Sequence, residues 1–145
     1  MHNFKENAEV SIGMEKYRSK IIIRNHELIA DEPFESGGQN LGPNPYDFLL
    51  AALGSCTAMT LRMYADRKEW NLTGVNVKLG HEKIHAEDCK DCESTEGKID
   101  TISRVIYLEG ELTDEQRKRL LEIANKCPVH KTLHSEIKVR SSLGE

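Results

Sequence analysis

The chain has 145 residues, of which 38% are hydrophobic and 30% are charged, which is typical of a folded domain and excludes a disordered chain. Its net charge of −4 and its dispersed basic residues argue against a nucleic-acid partner. No apolar run approaches the roughly 18 residues of a membrane span, and no apolar signal segment follows Met1. We therefore expect a cytoplasmic protein without a membrane partner, in which four cysteines are catalytic or metal-binding rather than structural.

The N-terminal part of the chain is predicted to form strands. Residues 8–14 and 17–30 are rich in β-branched side chains, and Asn25-His26 is typical of a turn between two strands. Residues 31–45 are predicted to be a loop, because glycines and prolines interrupt any regular pattern there.

A long helix is predicted from Pro45 to about Glu69. A proline in the first turn of a helix costs nothing, since its missing N–H would be unpaired anyway, and Asn44 before it is a typical cap. Apolar residues recur three or four positions apart, which predicts a buried helix face. That face consists of Phe48, Ala52, Cys56, Met59 and Met63.

The second half of the chain alternates strand and helix patterns. Strands are predicted at 74–80 and 99–110, with a polar segment at 81–98 between them. Thr113 and Gln116 resemble a capping box that opens a helix to about Lys126, and Pro128 can begin a short helix through Leu133. A last strand is predicted at 135–140. No linker or repeat interrupts this order, which predicts a single α+β domain over residues 1–145, with mainly antiparallel sheet around central helices.

Cys56 is open to two interpretations. A cysteine on an apolar helix face is often only a small hydrophobic core residue, and a thiol in purely apolar surroundings is inert. A reactive thiol needs a cation or a hydrogen-bond donor close to it. Arg18, Arg24 and Arg62 are the candidates for that cation.

Cys127 ends one predicted helix and directly precedes Pro128, at the start of the next. A thiolate close to a helix N-terminus is stabilised there, and His130 is a possible neighbour of this thiol. The alternative interpretation is an apolar residue that merely caps the helix. Only the fold can bring Cys127 together with Cys56, because the two are far apart in sequence.

These motifs together carry a family resemblance. The stretch from Gly42 to Thr57, with Asn44-Pro45 ahead of Cys56, and the later Cys127-Pro128 resemble the OsmC/Ohr superfamily (osmotically inducible protein C and organic hydroperoxide resistance). The resemblance covers nearly the whole chain. It implies an α+β, OsmC-like fold with antiparallel sheets around two central helices. It also implies an intertwined homodimer with its sites at the subunit interface.

The resemblance also implies an activity, a thiol-dependent peroxidase acting in the response to oxidative stress. Cys56 would attack the peroxide bond and become a sulfenic acid, and Cys127 would condense with it to a disulfide that a dithiol reductant opens. The implied substrate is an organic hydroperoxide, in an apolar pocket with residues such as Phe48, Leu49 and Met59. No cofactor and no resident metal are expected for this activity.

The chain departs from the peroxidase pattern at one position. In the peroxidases a Glu directly follows the Asn-Pro pair and contacts an activating Arg, whereas this chain has Tyr46 there and Asp47 one residue later. A shift of one residue turns a helical side chain by about 100°. The resemblance is thus to a divergent OsmC-like branch. The predicted catalytic residues are Cys56, Cys127, Arg18 and Asp47.

A third feature is Cys89-x-x-Cys92, which lies in the polar segment with His81 and His85. It fits an exposed hairpin loop with incidental thiols, a redox-active or regulatory disulfide, or a zinc site. In a strand the two histidines would lie about 13 Å apart and could not bind one ion. Two alternatives to the peroxidase therefore stay open: a non-catalytic binding or redox-sensing module on the same fold, and a zinc-binding protein through Cys89 and Cys92.

Overall fold

The computed structural model of the protein describes residues 4–144. The chain divides into two compact units. The first contains the described residues up to Leu49 together with those from Ile137 onward, and the second contains Leu50–Glu136.

The first unit contains a three-stranded antiparallel sheet. Its strands are β1 (Glu9–Ile12), β2 (Ser19–Ile23) and β3 (His26–Ala30), in the order β1-β2-β3. The turn between β2 and β3 has only two residues, and the first of them, Arg24, has a positive φ of 54°. The strands predicted within 8–14 and 17–30 are confirmed.

A buried carboxylate organises the loop that follows β3. Asp31 is 2% exposed, and its two oxygens accept hydrogen bonds from the backbone N–H groups of Tyr17, Glu32, Gln39 and Leu41. Burial alone would raise the pKa of Asp31, but these four donors outweigh it and hold the pKa below its usual value. Asp31 thus stays ionised and ties the loop to the strand region of the first unit.

The long helix α1 runs from Pro45 to Lys68, as predicted. Asn44 Oδ1 accepts a hydrogen bond from the Asp47 N–H at 2.8 Å, and Asp47 Oδ2 accepts one from the Asn44 N–H at 3.0 Å. This reciprocal pair is a capping box, which satisfies two N–H groups that the helix start leaves free. The cap predicted at Asn44 is confirmed.

The buried face of α1 differs from the predicted one. Within the second unit the helix buries a stripe of residues four apart, whereas Met59 and Met63 are 67% and 61% exposed. A Cβ on Gly54 would lie only 2.8 Å from the end of the Leu79 side chain, so the glycine allows close packing on the neighbouring strand. Because this part of the helix is apolar on most sides, periodicity could not choose the face. The buried stripe is Leu53, Thr57, Leu61 and Ala65.

By length and composition α1 could also cross a membrane, although no apolar run of that length was expected from the sequence. It has 24 residues, and an 18-residue window of it reaches a mean hydropathy of 1.3. This is a weak indication, because the core helix of a soluble protein passes the same test. Leu61 and Ala65 are completely buried in the core of the second unit, as in such a core helix.

The second unit is built on a long antiparallel hairpin. Strand β4 (Gly74–His85) pairs along its whole length with β5 (Lys98–Glu109), from Gly74 opposite Glu109 to His85 opposite Lys98. Both predicted strands exist, but β4 continues through residues predicted to be an interruption. Polar side chains on the exposed side of a two-stranded ribbon leave its backbone pairing intact, so the loop is only 86–97.

Two further helices complete the second unit. Helix α2 (Asp114–Ala124) begins with the predicted capping box of Thr113 and Gln116, and α3 (Pro128–Leu133) begins at the predicted proline. The strand predicted at 135–140 is wrong, because residues 136–140 are irregular. Alternating side chains produce a strand only where a sheet edge pairs with them.

Helices and hairpin share one hydrophobic core in the second unit. Buried side chains from α1 and α2 pack together, with partly buried residues of β4 and β5 against them. The predicted α+β class with antiparallel sheets is confirmed. The buried core residues are Leu61, Ala65, Leu72, Leu120, Ile123 and Ala124.

Candidate functional site

The first turn of α3 holds both predicted catalytic cysteines. The Val129 N–H donates to Cys56 Sγ at 3.5 Å, and the next N–H, that of His130, donates to Cys127 Sγ at 3.4 Å. Cys127 is itself the N-cap of the helix, and Pro128 follows it. Backbone N–H groups at a helix start have no partner within the helix, so here they are available to sulfur. The fold thus brings Cys56 and Cys127 to the same helix end.

The two thiols differ in accessibility. Cys127 is completely buried, whereas Cys56 is only partly buried. A small molecule can therefore reach Cys56 more easily than Cys127. This difference matches the predicted roles, in which Cys56 attacks the substrate and Cys127 attacks Cys56.

A single hydroxyl group fixes the proton arrangement beside Cys127. Thr57 Oγ1 donates its one proton to the Leu53 carbonyl oxygen at 2.7 Å and accepts a hydrogen bond from Arg104 Nη1 at 2.9 Å. Cys127 Sγ lies 3.9 Å from the same oxygen. A protonated Cys127 would be the donor in that contact, because the hydroxyl proton is already used at Leu53. Thr57 thus links the Arg104 guanidinium to the Cys127 sulfur.

Arg104 is the cation of this site, and it was not among the cations predicted from the sequence. Besides Thr57, its guanidinium donates to the Ala124 carbonyl oxygen at 3.4 Å, to Asn125 Oδ1 at 3.0 Å and to His130 Nδ1 at 3.4 Å. A strand signal could have identified it. Arg104 lies in phase with the apolar residues Ile102, Ile106 and Leu108 of β5, so its side chain faces inward.

His130 completes the polar side of the site. Its Nδ1 accepts from Arg104, so Nε2 carries the proton of the neutral ring. Burial, together with the electrostatic effects of the neighbouring His134 and Arg104, lowers the pKa of His130 below 6.5. His134 donates from Nδ1 to the His130 carbonyl oxygen at 2.9 Å, and the two rings stack with centroids 4.4 Å apart. His130 is therefore neutral at pH 7.

A cavity of about 280 Å³ lies beside these residues. Its walls are mainly aliphatic, with a polar side formed by Arg104, Asn125 and the two histidines. Met59, a predicted wall residue, is mostly exposed and does not line it. The aliphatic wall residues are Leu53, Ile102, Ile106, Leu121 and Leu133.

Two of the predicted cations, Arg18 and Arg62, and the predicted carboxylate have partners of their own. Arg18 belongs to the first unit and forms an exposed ion pair with Glu15 at 3.4 Å. Asp47 is a member of the helix cap described above. Arg62 is held by Asp66 and by the carbonyl oxygen of Leu72, at 2.6 Å each. Catalytic roles for Arg18 and Asp47 stay predictions.

Cys89 and Cys92 form a disulfide in the loop between β4 and β5. Of the three interpretations of this pair, the structure favours the disulfide. One ligand atom each of Cys89, Asp91 and Cys92 lies within 4.8 Å of the others, but a disulfide has no thiolate to offer a metal ion. His81 Nε2 is hydrogen bonded to Asp100 Oδ1 at 2.8 Å, and His81 and His85 both lie on β4, as the separation argument assumed.

Comparison with known proteins places this architecture in a family. A family model described as OsmC-like protein matches residues 37–142. No curated protein matches the chain.

Solved structures share the fold at low sequence identity. A putative osmotic stress induced and detoxification response protein from Psychrobacter arcticus is 21% identical, with 90% of each chain covered and a TM-score of 0.72. An organic hydroperoxide resistance protein from Elizabethkingia anophelis is 17% identical, with 94% of this chain and 93% of that chain covered and a TM-score of 0.66.

A third structure is described as an organic hydroperoxide resistance protein OsmC from Legionella pneumophila. It is 17% identical, with 92% of this chain and 91% of that chain covered and a TM-score of 0.64. The structural matches show the fold, and the family match extends over most of the sequence. The resemblance drawn from Asn44-Pro45, Cys56 and Cys127-Pro128 is confirmed, and the chain belongs to the OsmC-like protein family.

Proposed function

We propose that this protein is a thiol peroxidase that reduces organic hydroperoxides through Cys56 and Cys127. The observation that carries the proposal is the position of both sulfurs at the start of α3, where each accepts a backbone N–H. The Arg104 guanidinium lies in the wall of a cavity of the second unit, opposite aliphatic side chains. The described function of two structural neighbours, organic hydroperoxide resistance, supports the same activity.

The first step is attack of the Cys56 thiolate on the peroxide bond. The sulfur takes the terminal oxygen, the O–O bond breaks, and the alkoxide takes a proton to leave as an alcohol. Arg104 would stabilise the negative charge that develops on the leaving oxygen, because a guanidinium presents several fixed N–H donors. The aliphatic wall of the cavity suits the alkyl part of the substrate.

The second step joins the two cysteines. The Cys127 sulfur attacks the sulfenic acid of Cys56, an S–S bond forms, and water leaves with the thiol proton. The Thr57 hydroxyl lies 3.9 Å from the Cys127 sulfur, where it can accept from this thiol. A dithiol then opens the disulfide by thiol–disulfide exchange and is oxidised itself. The cytoplasm, where thiols are kept reduced, is the compartment that supplies such dithiols.

A homodimer fits the surface of the second unit. Several large apolar side chains there are about half exposed or more, and only 28% of the apolar window of α1 is buried. Such surfaces are typical of protein interfaces. We therefore propose that a second copy of the chain covers them. The exposed residues are Met59, Met63, Val105, Tyr107 and Leu121.

The test is a single-turnover reaction with cumene hydroperoxide. Fully reduced protein that receives one equivalent of peroxide should consume it and lose two thiols, and mapping of the earliest samples should place the disulfide between Cys56 and Cys127. Cys56→Ser should consume none, whereas Cys89→Ser should behave as the wild type in this step. Full peroxide consumption by Cys56→Ser would show that the assignment is wrong.

The same experiment separates the peroxidase from a non-catalytic binding or redox-sensing module. A sensor would lose its thiols slowly and once, and it would show no repeated turnover with excess dithiothreitol. A peroxidase turns over many equivalents of peroxide under those conditions. Size-exclusion chromatography with light scattering tests the dimer, and a monomer at micromolar concentration would contradict that part of the proposal.

A further inference from the structure

A second cavity, of about 510 Å³, lies beside the Cys89–Cys92 disulfide. One side is formed by the loop with both cysteines and by neighbouring residues of β4 and β5. The other side is formed by Leu133 and His134, at the end of α3. The disulfide thus faces the same short helix whose first turn binds the sulfurs of Cys56 and Cys127.

The two cavities are neighbours that share part of their walls. Ile102, Leu133 and His134 line both the cavity beside Arg104 and the cavity beside the disulfide. Strand β5 and helix α3 therefore border both cavities, of which one contains Arg104 and His130 in its wall and the other contains the disulfide.

The redox states of the four cysteines are unequal. Cys89 and Cys92 are oxidised to a disulfide, whereas Cys56 and Cys127 are free. The loop pair lies across a cavity from the end of α3, and the helix pair lies at the start of the same helix. We propose that Cys89 and Cys92 are a second redox couple, which reduces the Cys56–Cys127 disulfide and is then reduced by a dithiol from outside. The inference rests on the proposed function.

The exchange is balanced without another reactant. A thiolate of the reduced loop pair attacks the Cys56–Cys127 bond, forms a mixed disulfide and releases the other helix cysteine as a thiolate. The second loop thiol attacks the mixed disulfide and releases the remaining helix cysteine. Two electrons pass from the loop pair to the helix pair, and the two protons of the loop thiols end on Cys56 and Cys127.

Burial explains the need for such a relay. Cys127 is completely buried and Cys56 is partly buried, so a large reductant approaches this pair less easily than a small one does. Cys89 and Cys92 are partly buried as well, but in a loop whose other residues from Glu87 to Glu96 are exposed. The loop pair can therefore meet a large partner more easily than the helix pair can.

The loop is a short segment with a defined base. The Ala86 N–H donates to the Gly97 carbonyl oxygen at 2.8 Å, which closes that base, and Gly97 has a positive φ of 78°. The six residues of α3, which separate the start of the helix from its end, span about 9 Å. Cys89 lies three residues from the base, a length of chain that reaches about 10 Å.

The charge of the loop indicates the kind of reductant. Between Ala86 and Gly97 there are five acidic residues and one lysine. A dithiol protein with basic residues around its thiols would be attracted to this loop, and salt would weaken that attraction. The acidic residues are Glu87, Asp88, Asp91, Glu93 and Glu96.

The test follows the disulfides through one turnover without external reductant. Fully reduced protein receives one equivalent of cumene hydroperoxide, and samples are quenched with acid, alkylated and mapped by mass spectrometry. We expect a Cys56–Cys127 disulfide first and a Cys89–Cys92 disulfide later, with Cys56 and Cys127 free again. The rate of the second stage should not depend on protein concentration.

The double variant Cys89→Ser/Cys92→Ser separates the relay from the peroxidase step. It should consume peroxide at the wild-type rate, and its Cys56–Cys127 disulfide should persist. One of the single variants, Cys89→Ser or Cys92→Ser, should accumulate a mixed disulfide between the remaining loop cysteine and a helix cysteine. A purely structural role of the loop would produce no such species. Circular dichroism and thermal unfolding establish that the variants are folded.

Three results would overturn the relay. The Cys56–Cys127 disulfide could persist in the wild type as long as in the double variant, or the second stage could speed up in proportion to protein concentration. The reduced loop pair could also retain one zinc ion per chain and transfer no electrons, which would make it a metal site. If instead the wild type consumes no peroxide in the first stage, the proposed function has failed, and this outcome is separate from all three.

Discussion

The two cysteine pairs of this protein lie in opposite surroundings. The sulfurs of Cys56 and Cys127 accept N–H groups from one helix start, inside packed structure and close to a fixed guanidinium. Cys89 and Cys92 lie in an acidic loop whose other residues from Glu87 to Glu96 are exposed. The first arrangement favours selective chemistry with a small substrate, and the second favours contact with another protein. Sequence spacing alone does not separate these tasks, whereas burial and hydrogen bonding do.

The largest expected effect comes from Cys127→Ser. Without the buried thiol, Cys56 cannot form its disulfide, so the sulfenic acid persists after one equivalent of cumene hydroperoxide. Dimedone labelling with mass spectrometry should find the label on Cys56 in the variant and little of it in the wild type. The matched change in the loop pair, Cys92→Ser, should leave Cys56 unlabelled. Equal labelling of both variants would remove the distinction between the pairs.

Arg104→Met tests the electrostatic part of the comparison. Loss of the guanidinium should slow peroxide consumption by about 100-fold, a size typical of removing a donor to a developing anion. The rate at which dithiothreitol reduces the Cys89–Cys92 disulfide should not change. Stopped-flow measurement of peroxide loss checks the first effect, and timed alkylation checks the second.

Arg62→Met is the matched control for that change, because Arg62 donates to Asp66 and to the Leu72 carbonyl oxygen instead. It should keep the wild-type rate of peroxide consumption. Arg104→Lys keeps the charge but not the planar fork, so it should recover part of the rate. A wild-type rate in Arg104→Met would exclude Arg104 from the first step.

The smallest expected effect concerns pH. The pKa of His130 is below 6.5 in the folded protein. As the pH falls through 6.5, His130 therefore binds a proton more readily in the unfolded chain than in the folded protein. His130 therefore lowers the stability of the folded protein as the pH falls through that window. The thermal midpoint should drop less between pH 7.5 and pH 5.5 in His130→Gln than in the wild type. A larger drop in the variant would contradict the assigned neutral state.

Elements with local signals could be predicted from the sequence. The caps at Asn44 and Thr113 and the proline that opens α3 depend on residues three positions apart or fewer, and all three are confirmed. The strand predicted at 135–140 failed because a strand depends on a neighbour that the local pattern does not reveal. The sequence also did not indicate which face of α1 is buried, because apolar residues lie on most sides of the first half of the helix.

The site was only partly predictable for the same reason. Cys56 and Cys127 stand in recognisable motifs, and the structure brings them to one helix end. Arg104 comes from a strand distant in sequence from both, so only the tertiary fold brings it to Thr57 and His130. The loop cysteines could be noticed but not interpreted, because a Cys-x-x-Cys spacing serves metals and disulfides equally well.

The Thr57 hydroxyl has a consequence for the evolution of this site. The Thr57 oxygen accepts a hydrogen bond from Arg104 and lies beside the Cys127 sulfur, and its O–H donates a hydrogen bond to the Leu53 carbonyl oxygen. Valine has the same shape but leaves the guanidinium facing a methyl group, whereas serine keeps the oxygen. Among relatives, positions 57 and 104 should therefore covary: a hydroxyl residue accompanies the arginine, and the loss of one permits the loss of the other.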